Sequence, residues 1–388
     1  MDKPSIFRCI GKKLAMGAVI LLSGLFLCAR GQVETKTIDG IPHVLNPLKP
    51  LKGTVKLDVE CVRTINPFDQ PDVGLKMVLF SRDESGNVIL FDPNGAEGHR
   101  YGADGKYLGL LTKKGQGPGE FSPMQGYWTV FHGSDIWIYS MQKVAHFDGT
   151  GKLLKEQTLR HSFDAPVEPG RYLSRDAKAS DERTQLWTLR LVAFDMDGAE
   201  KDVDLLHAEN IEMIRNPAAQ GAFGEEWGTP RFFFTGDASL KRVYCGLNTK
   251  YSISVRDYEG HQVRVIEKAY EYIKVSRSDV KELLPWAFKN EGSKWALSAF
   301  PDRLVAIKDV KTLPKGGLAV YRVSGVKKFE IDVFDTQGRF LYTLIPPPDV
   351  KMGEAQFFSN GFATVDEAGD FPIYREYRVK NLPELFGK

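Results

Sequence analysis

FDGTGKLL, residues 147–154, joins an apolar run to a second strand-like run through a turn built from Asp, Gly, Thr and Gly. An Asp at the start of such a turn can bond its own backbone, and the closing Gly takes the left-handed φ that tight hairpins require. The same grammar returns as FDMDG at 194–198, DYEG at 257–260 and FDTQG at 334–338, with a weaker copy, YGADG, at 101–105. The closing glycines, Gly105, Gly151, Gly198, Gly260 and Gly338, lie 46, 47, 62 and 78 residues apart. The first two intervals match the ~40–50-residue period of a four-stranded propeller blade.

A second hairpin signal precedes most copies: DESGN at 83–87, GSD at 133–135, GDA at 236–238 and PKGG at 314–317. Two hairpins per period make four antiparallel strands, which is one blade. Five periods are complete, and residues 362–379 supply about three further strands with no fourth. Residues 55–62 (VKLDVECV) form an N-terminal strand without a hairpin partner. Joining these two pieces predicts an all-β fold, a six-bladed β-propeller of four-stranded antiparallel blades whose last blade the N-terminal strand closes. Closure removes free sheet edges. The long intervals have local causes. A helical insertion is predicted around 278–297, where SDVKELL at 278–284 places apolar residues at 280, 283, 284 and 287. Residues 161–187 read as an elaborated, irregular loop of the third blade, and the charged run Arg175–Arg183 as solvated.

Residues 1–31 read as a signal peptide. Lys3, Arg8, Lys12 and Lys13 precede the apolar stretch 14–27, and Ala29-Arg30-Gly31 offers small residues at a cleavage site. That stretch is shorter than the ~20 residues a membrane span needs. Retention as an anchor and lipid attachment at Cys28 are the competing readings, and the bulky Leu27 disfavours the second. The mature chain, 32–388, is expected to be one propeller domain, exported to the periplasm or the medium, monomeric and without a membrane span. Losing five basic residues and one acidic residue with the signal turns a formal charge of +2 into −2. A balanced charge of this kind leaves no footprint for nucleic acid. Cys61 and Cys245, 184 residues apart, are no disulfide framework; both are expected to be buried thiols.

The order of these features resembles exported bacterial six-bladed β-propellers related to NHL-repeat proteins. The matching stretches are IDGIPHVLNP at 38–47, KGQGPGEF at 114–121 and VFDTQGR at 333–339, while blade 3 departs from the pattern. The resemblance implies a fold more firmly than a role. One expectation is a non-enzymatic propeller that binds a protein, peptide or glycan on the face carrying the loops between blades. The other is a lyase or hydrolase, similar to NHL-type lyases or lactonases, with a metal in the channel.

KKGQGPGEF, residues 113–121, is the most motif-like stretch. A Walker loop needs its Lys after the last Gly, and Lys114 comes before the first; a dinucleotide fingerprint fails where Glu120 replaces the third Gly. The stretch therefore reads as the crossing from blade 1 to blade 2, with Lys114, Gln116 and Glu120 as candidate ligand-binding residues at the channel mouth. The seven histidines show no metal-ligand spacing, so no metal site, cofactor or catalytic residue is assigned. Trp128, Trp137, Trp187 and Trp227 are expected to be buried between blades, and Trp286 and Trp295 to pin the helical insertion.

Overall fold

The computed structural model describes residues 32–69, 75–123, 126–141, 143–179, 185–209, 214–215, 222–223, 227–288, 297–298, 300–366 and 371–386. The signal segment 1–31 with Cys28, the side chain of Trp286, and Trp295 fall outside these described residues.

Each repeated turn does the work its sequence implied. Asp148 Oδ1 accepts from the backbone N–H groups of Thr150 and Lys152, and Gly151 has φ +87°. Asp195, Asp257 and Asp335 each accept from the residues two and four positions on. In the weaker copy the side-chain acceptor moves to Asp104, which takes the Lys106 N–H, while Gly102 keeps the backbone bonds.

These turns join the two outermost strands of the first five of six blades. Blade 1 comprises Leu79–Arg82, Val88–Asp92, Glu97–Tyr101 and Tyr107–Thr112; blade 2, Tyr127–His132, Asp135–Ser140, Lys143–Phe147 and Leu153–Thr158. Blade 3 comprises Ala165–Glu168, Arg171–Ala179, Gln185–Phe194 and Glu200–Glu209; blade 4, Phe232–Asp237, Arg242–Leu247, Ser252–Arg256 and Gln262–Lys268. Blade 5 comprises Ile307–Thr312, Leu318–Gly325, Lys328–Phe334 and Phe340–Ile345. Blade 6 takes Gln356–Phe358, Gly361–Asp366 and Ile373–Val379 from the C-terminus and Val59–Ile65 from the N-terminus. The six-bladed ring is the predicted one. Interior strands of the blades are covered on both faces, which is why Val88, Ile89, Leu90 and Phe91 are all fully buried.

The N-terminal segment does more than close the last blade. Ile41–Asn46, turned back from Glu34–Ile38, adds in parallel to the outer strand of blade 4. Thr54–Lys56 adds in parallel to the outer strand of blade 5. The single strand expected at 55–62 is thus two, with a step at Leu57-Asp58. Leu57 is buried in the blade 5–6 core, and Asn381 bonds both sides of the step, at Lys56 O (2.8 Å) and Asp58 N (3.1 Å). Asn46, wholly buried, ties blades 4 and 5 together: its amide donates to Glu267 O (3.1 Å) and Gly338 O (2.9 Å), and its carbonyl accepts from Phe340 N (2.8 Å).

Four local expectations are corrected. The supposed loop at 161–187 contains strands Ala165–Glu168 and Arg171–Ala179, and Arg175 is paired in register with Leu189 rather than free in solvent. Its polarity misled because charges neutralise one another: Arg175 donates to Asp164, and Arg190 to Asp176 and Asp204. Cys245 is buried, but Cys61 is exposed on the rim, so only one thiol is sheltered. Trp128 is 39% exposed, although Trp137 and Trp227 are buried. The helical insertion is present as Arg277–Leu283, but its N-cap is Ser276, in a capping box with Asp279. Val280, Leu283 and Leu284 anchor it against Trp227, Phe300 and Leu304. No helix among the described residues is long and apolar enough to cross a membrane.

Candidate functional site

The innermost strand of each blade borders the central channel of a propeller. The loops that cross from an outer strand to the next inner strand all lie on one face. The chemistry on that face begins with the 113–121 crossing. Lys114 pairs with Phe121 as a parallel bridge, and Phe121 is buried. Glu120 Oε2 accepts from Gly117 N (2.9 Å), and Glu120 Oε1 lies 3.6 Å from Lys113 Nζ. A Cβ at Gly115 would come within 1.8 Å of the Glu120 carboxylate, so glycine is required there to let the side chain fold back. Gly119, at φ +73°, donates to Glu156 (2.7 Å), which in turn pairs with Lys143. Of the three candidate residues, Glu120 is half-buried and engaged inside its own loop, and Lys114 and Gln116 are exposed. Beside the loop is an open hollow of about 330 Å³ lined by Leu110, Pro118, Phe147 and Leu153.

A second group spans the inner strands of blades 2, 3 and 4. Trp128, on the inner strand of blade 2, donates its indole N–H to the Asp164 carbonyl at the start of blade 3. The Asp164 carboxylate accepts from Arg175 Nε (2.9 Å), Nη2 (2.6 Å) and backbone N (2.6 Å). The Arg175 guanidinium lies 5.4 Å from the ring centre of Phe234 on the inner strand of blade 4. Carboxylate and guanidinium fix one another, and the two aromatic groups flank them. An exposed Trp whose N–H is already committed offers its ring face rather than a donor.

A third group sits on the inner strand of blade 5. Asp309 and Lys311 lie two residues apart, so their side chains leave the same face. Lys311 Nζ donates to Gly353 O (3.2 Å) and Ala355 O (3.1 Å) of the approach to blade 6 and lies 3.9 Å from Asp309 Oδ2. Asp309 keeps 41% of its side-chain surface open. The loss of solvation inside the ring nevertheless holds its carboxyl above the usual carboxylate range, opposed chiefly by Lys311. The same loss lowers the Lys311 ammonium, opposed by Asp309 and Glu354. Sequence reasoning missed this pair because KDVK at 308–311 looks like any solvated strand. The available signal was its place. Charges on an innermost strand face a channel, not bulk water.

No protein-family model matches the sequence, and no curated protein matches it. Solved structures do match in architecture. One is a Bacteroides fragilis protein named as a presumed exported protein, at 13% identity and TM-score 0.45, covering 85% of this chain and 98% of that one. A DUF4221-family member from Bacteroides vulgatus aligns at 10% identity and TM-score 0.48, covering 84% and 99%. Virginiamycin B lyase from Staphylococcus aureus aligns at 10% identity and TM-score 0.41, covering 83% and 100%. At these identities the likeness is one of fold alone. The chain is similar in fold to these three, of which one is named as exported and one as a lyase.

Among the described residues, no group of three or more His, Cys, Asp or Glu side chains is arranged to hold a metal. The face offers instead an exposed aromatic ring, fixed ion pairs and a part-open acid–amine pair, which suit non-covalent recognition of a polar ligand.

Proposed function

We propose that the mature protein is an exported binding propeller, monomeric, that recognises a protein, peptide or glycan on its loop face near the channel mouth. The observation that carries this reading is Trp128. A large indole on an innermost strand would ordinarily be buried between blades; this one is held open, with its N–H tied to Asp164 and the Arg175–Phe234 pair beyond. Aromatic faces next to fixed polar groups are what recognition sites use for orientation and contact. Lys114 and Gln116 supply exposed polar groups on the same face. The lyase or hydrolase alternative has no specific observation behind it among the described residues. Export rests on the sequence of 1–31, with cleavage after Gly31.

The test is titration calorimetry of protein 32–388 against a panel of defined oligosaccharides and short peptides. At least one class should bind, and Trp128→Ala should weaken that binding about tenfold or more, since lost ring contacts of this size are worth about 1.4 kcal/mol or more. Binding that is indifferent to Trp128→Ala would move the site elsewhere.

A further inference from the structure

Buried hydroxyls almost always have a partner, and one that lacks it calls for an explanation. Tyr321 is fully buried, and its hydroxyl has no hydrogen-bond partner among the described residues. It belongs to the second strand of blade 5, where the antiparallel register sets it opposite Asp309. Register partners share a face, so Tyr321, Asp309 and Lys311 all project toward the seam with blade 6. The ring centre of Tyr321 is 5.3 Å from Lys311 Nζ, and the Asp309 charge acts on its phenol. Three side chains with capacity to spare therefore share one face of blade 5. Asp309 Oδ1 accepts from Val310 N, but the carboxylate remains part-open. Lys311 spends two N–H bonds on backbone carbonyls, with Asp309 at the limit of ion-pair distance. Tyr321 spends none.

We propose that Asp309, Lys311 and Tyr321 form a channel subsite for a neutral, hydroxyl-bearing ligand, namely a saccharide. This rests on the binding reading above and gives it a ligand class and a second anchoring point. The chemistry selects a hydroxyl because it can donate to Asp309 and accept from Lys311 at once. Ligands of either charge fit worse. The acid and the amine already balance, a cationic ligand would meet Lys311 with Lys308 and Arg231 near Asp309, and an anionic one would meet Asp309 with Glu354 near Lys311. Tyr321 stands behind the pair as the group whose missing partner the bound state supplies when these side chains adjust.

Tyr321→Phe separates this from mere imperfect packing, because it removes a hydroxyl that makes no hydrogen bond to the described residues. The probes are glucose, galactose, mannose and N-acetylglucosamine with their β1,4-linked dimers, plus glucuronate and glucosamine as charged counterparts, measured by calorimetry and ligand-induced melting shift. The expected result is binding of a neutral sugar, weakened about tenfold by Asp309→Asn and several-fold by Tyr321→Phe. The unliganded melting temperature of Tyr321→Phe should be equal to or above that of the parent. Neutral-sugar binding lost in Trp128→Ala but unchanged in both blade 5 variants would overturn the subsite and keep the binding reading. Peptide binding without saccharide binding would do the same. Preference for glucuronate or glucosamine would overturn the ligand class. Failure of every probe and every peptide would remove both proposals.

Discussion

The two halves of the ring are finished differently at their outer edges. Blades 4 and 5 each carry an added parallel strand from the N-terminal segment, and blade 6 takes its outer strand from the same segment. The outer strands of blades 1, 2 and 3 have no neighbour among the described residues. The girdled half is also where buried charge is saturated. Asp332, fully buried between blades 4 and 5, accepts from Tyr251 (2.7 Å), Lys268 (2.9 Å), Arg322 (3.0 Å) and Thr343 (2.9 Å). Glu376 in blade 6 accepts from Arg63 of the closing strand, Arg82 of blade 1 and Tyr374. The bare half protects its edges by composition. Glu200–Glu209 of blade 3 carries charges along its length, and Tyr107–Thr112 of blade 1 is broken by Gly109 at φ +123° and two register shifts. A propeller whose repeat is irregular can thus still be held as a ring by one non-repeating segment.

Removing the girdle in two steps should have the largest effect on the ring. Deleting 32–57 uncovers the edges of blades 4 and 5 and loses the Asn46 bonds and the buried Val44 and Leu57. With ~1.5–3 kcal/mol for each buried apolar side chain, the protein should fold but melt lower. Deleting 32–66 also removes the outer strand of blade 6, buried Ile65, and Arg63 from Glu376. That loss is comparable with the whole reserve of a domain holding only ~5–15 kcal/mol. The longer deletion should aggregate or lose cooperative unfolding, read by calorimetry. Thiol labelling localises the damage: in the intact protein Cys61 should react and Cys245 should not, and in the 32–57 deletion Cys245 should begin to react as blade 4 opens. Equal melting of both deletions and the parent would show that the ring closes without the girdle.

Removing one charge tests the seam between blades 6 and 1. The side chains of Arg63, Arg82 and Glu376 are 13%, 15% and 7% exposed. Glu376→Ala leaves two largely buried guanidinium groups without their carboxylate, a change of the kind that costs about 3–5 kcal/mol. Denaturant melts should show a lower midpoint with an unchanged slope. Arg190→Ala in blade 3 offers the contrast. Its partners Asp176, Asp202 and Asp204 are 29%, 45% and 44% exposed, so solvent screens part of what is lost and the effect should stay smaller, about 1 kcal/mol.

How much of this was readable in the sequence follows the range of the interactions. The Asp–Gly turns are closed by bonds between residues two to four apart, so their signal is local, and it carried the blade count. The capping box at Ser276 and Asp279 is equally local, and the apolar spacing after it was enough to place the helix. The girdle was only half legible. Val59–Ile65 could be inferred from a blade lacking a strand, but Ile41–Asn46 and Thr54–Lys56 add to edges more than 200 residues away through backbone bonds that leave no periodic trace. Residues 161–187 read as a loop of blade 3 because they are polar and irregular, and only the fold shows that Arg175, Arg190 and their aspartates neutralise each other. The site was less legible still. Trp128 stays exposed because of what the next blade places beside it, and Asp309 and Lys311 matter because their strand is innermost.

Alkaline titration asks whether the halves differ in core quality or only at the rim. Burial raises Tyr127 in blade 2 and Tyr244 in blade 4 to about 12. The unfolded chain releases these protons near pH 10 while the folded chain still holds them, so stability falls as pH rises from 10 toward 12. Below pH 10 neither group contributes to the slope. Each contributes about 1.4 kcal/mol per pH unit in that window, and Tyr127→Phe and Tyr244→Phe should each flatten the fall by a similar amount. A flattening confined to the blade 4 variant would mean that blade 2 opens before it titrates, and that the bare half is weaker throughout.

The smallest effect belongs to the crossing loop, in the bare half. Gly115→Ala places a methyl 1.8 Å from the Glu120 carboxylate oxygen and 3.2 Å from its Cβ. The obstructing oxygen is the end of a side chain, so it can swing away, but it then abandons its bond to Gly117 N and its approach to Lys113. The expected cost is about 1 kcal/mol, that of one hydrogen bond. Glu120→Ala removes the same bond without the clash, and the double variant should be no less stable than Glu120→Ala alone. That non-additivity is the check. If Gly115→Ala destabilises by the same amount with and without Glu120, the loop is held by backbone geometry rather than by its folded-back carboxylate. Glu120 would then be free for a ligand, alongside Lys114 and Gln116.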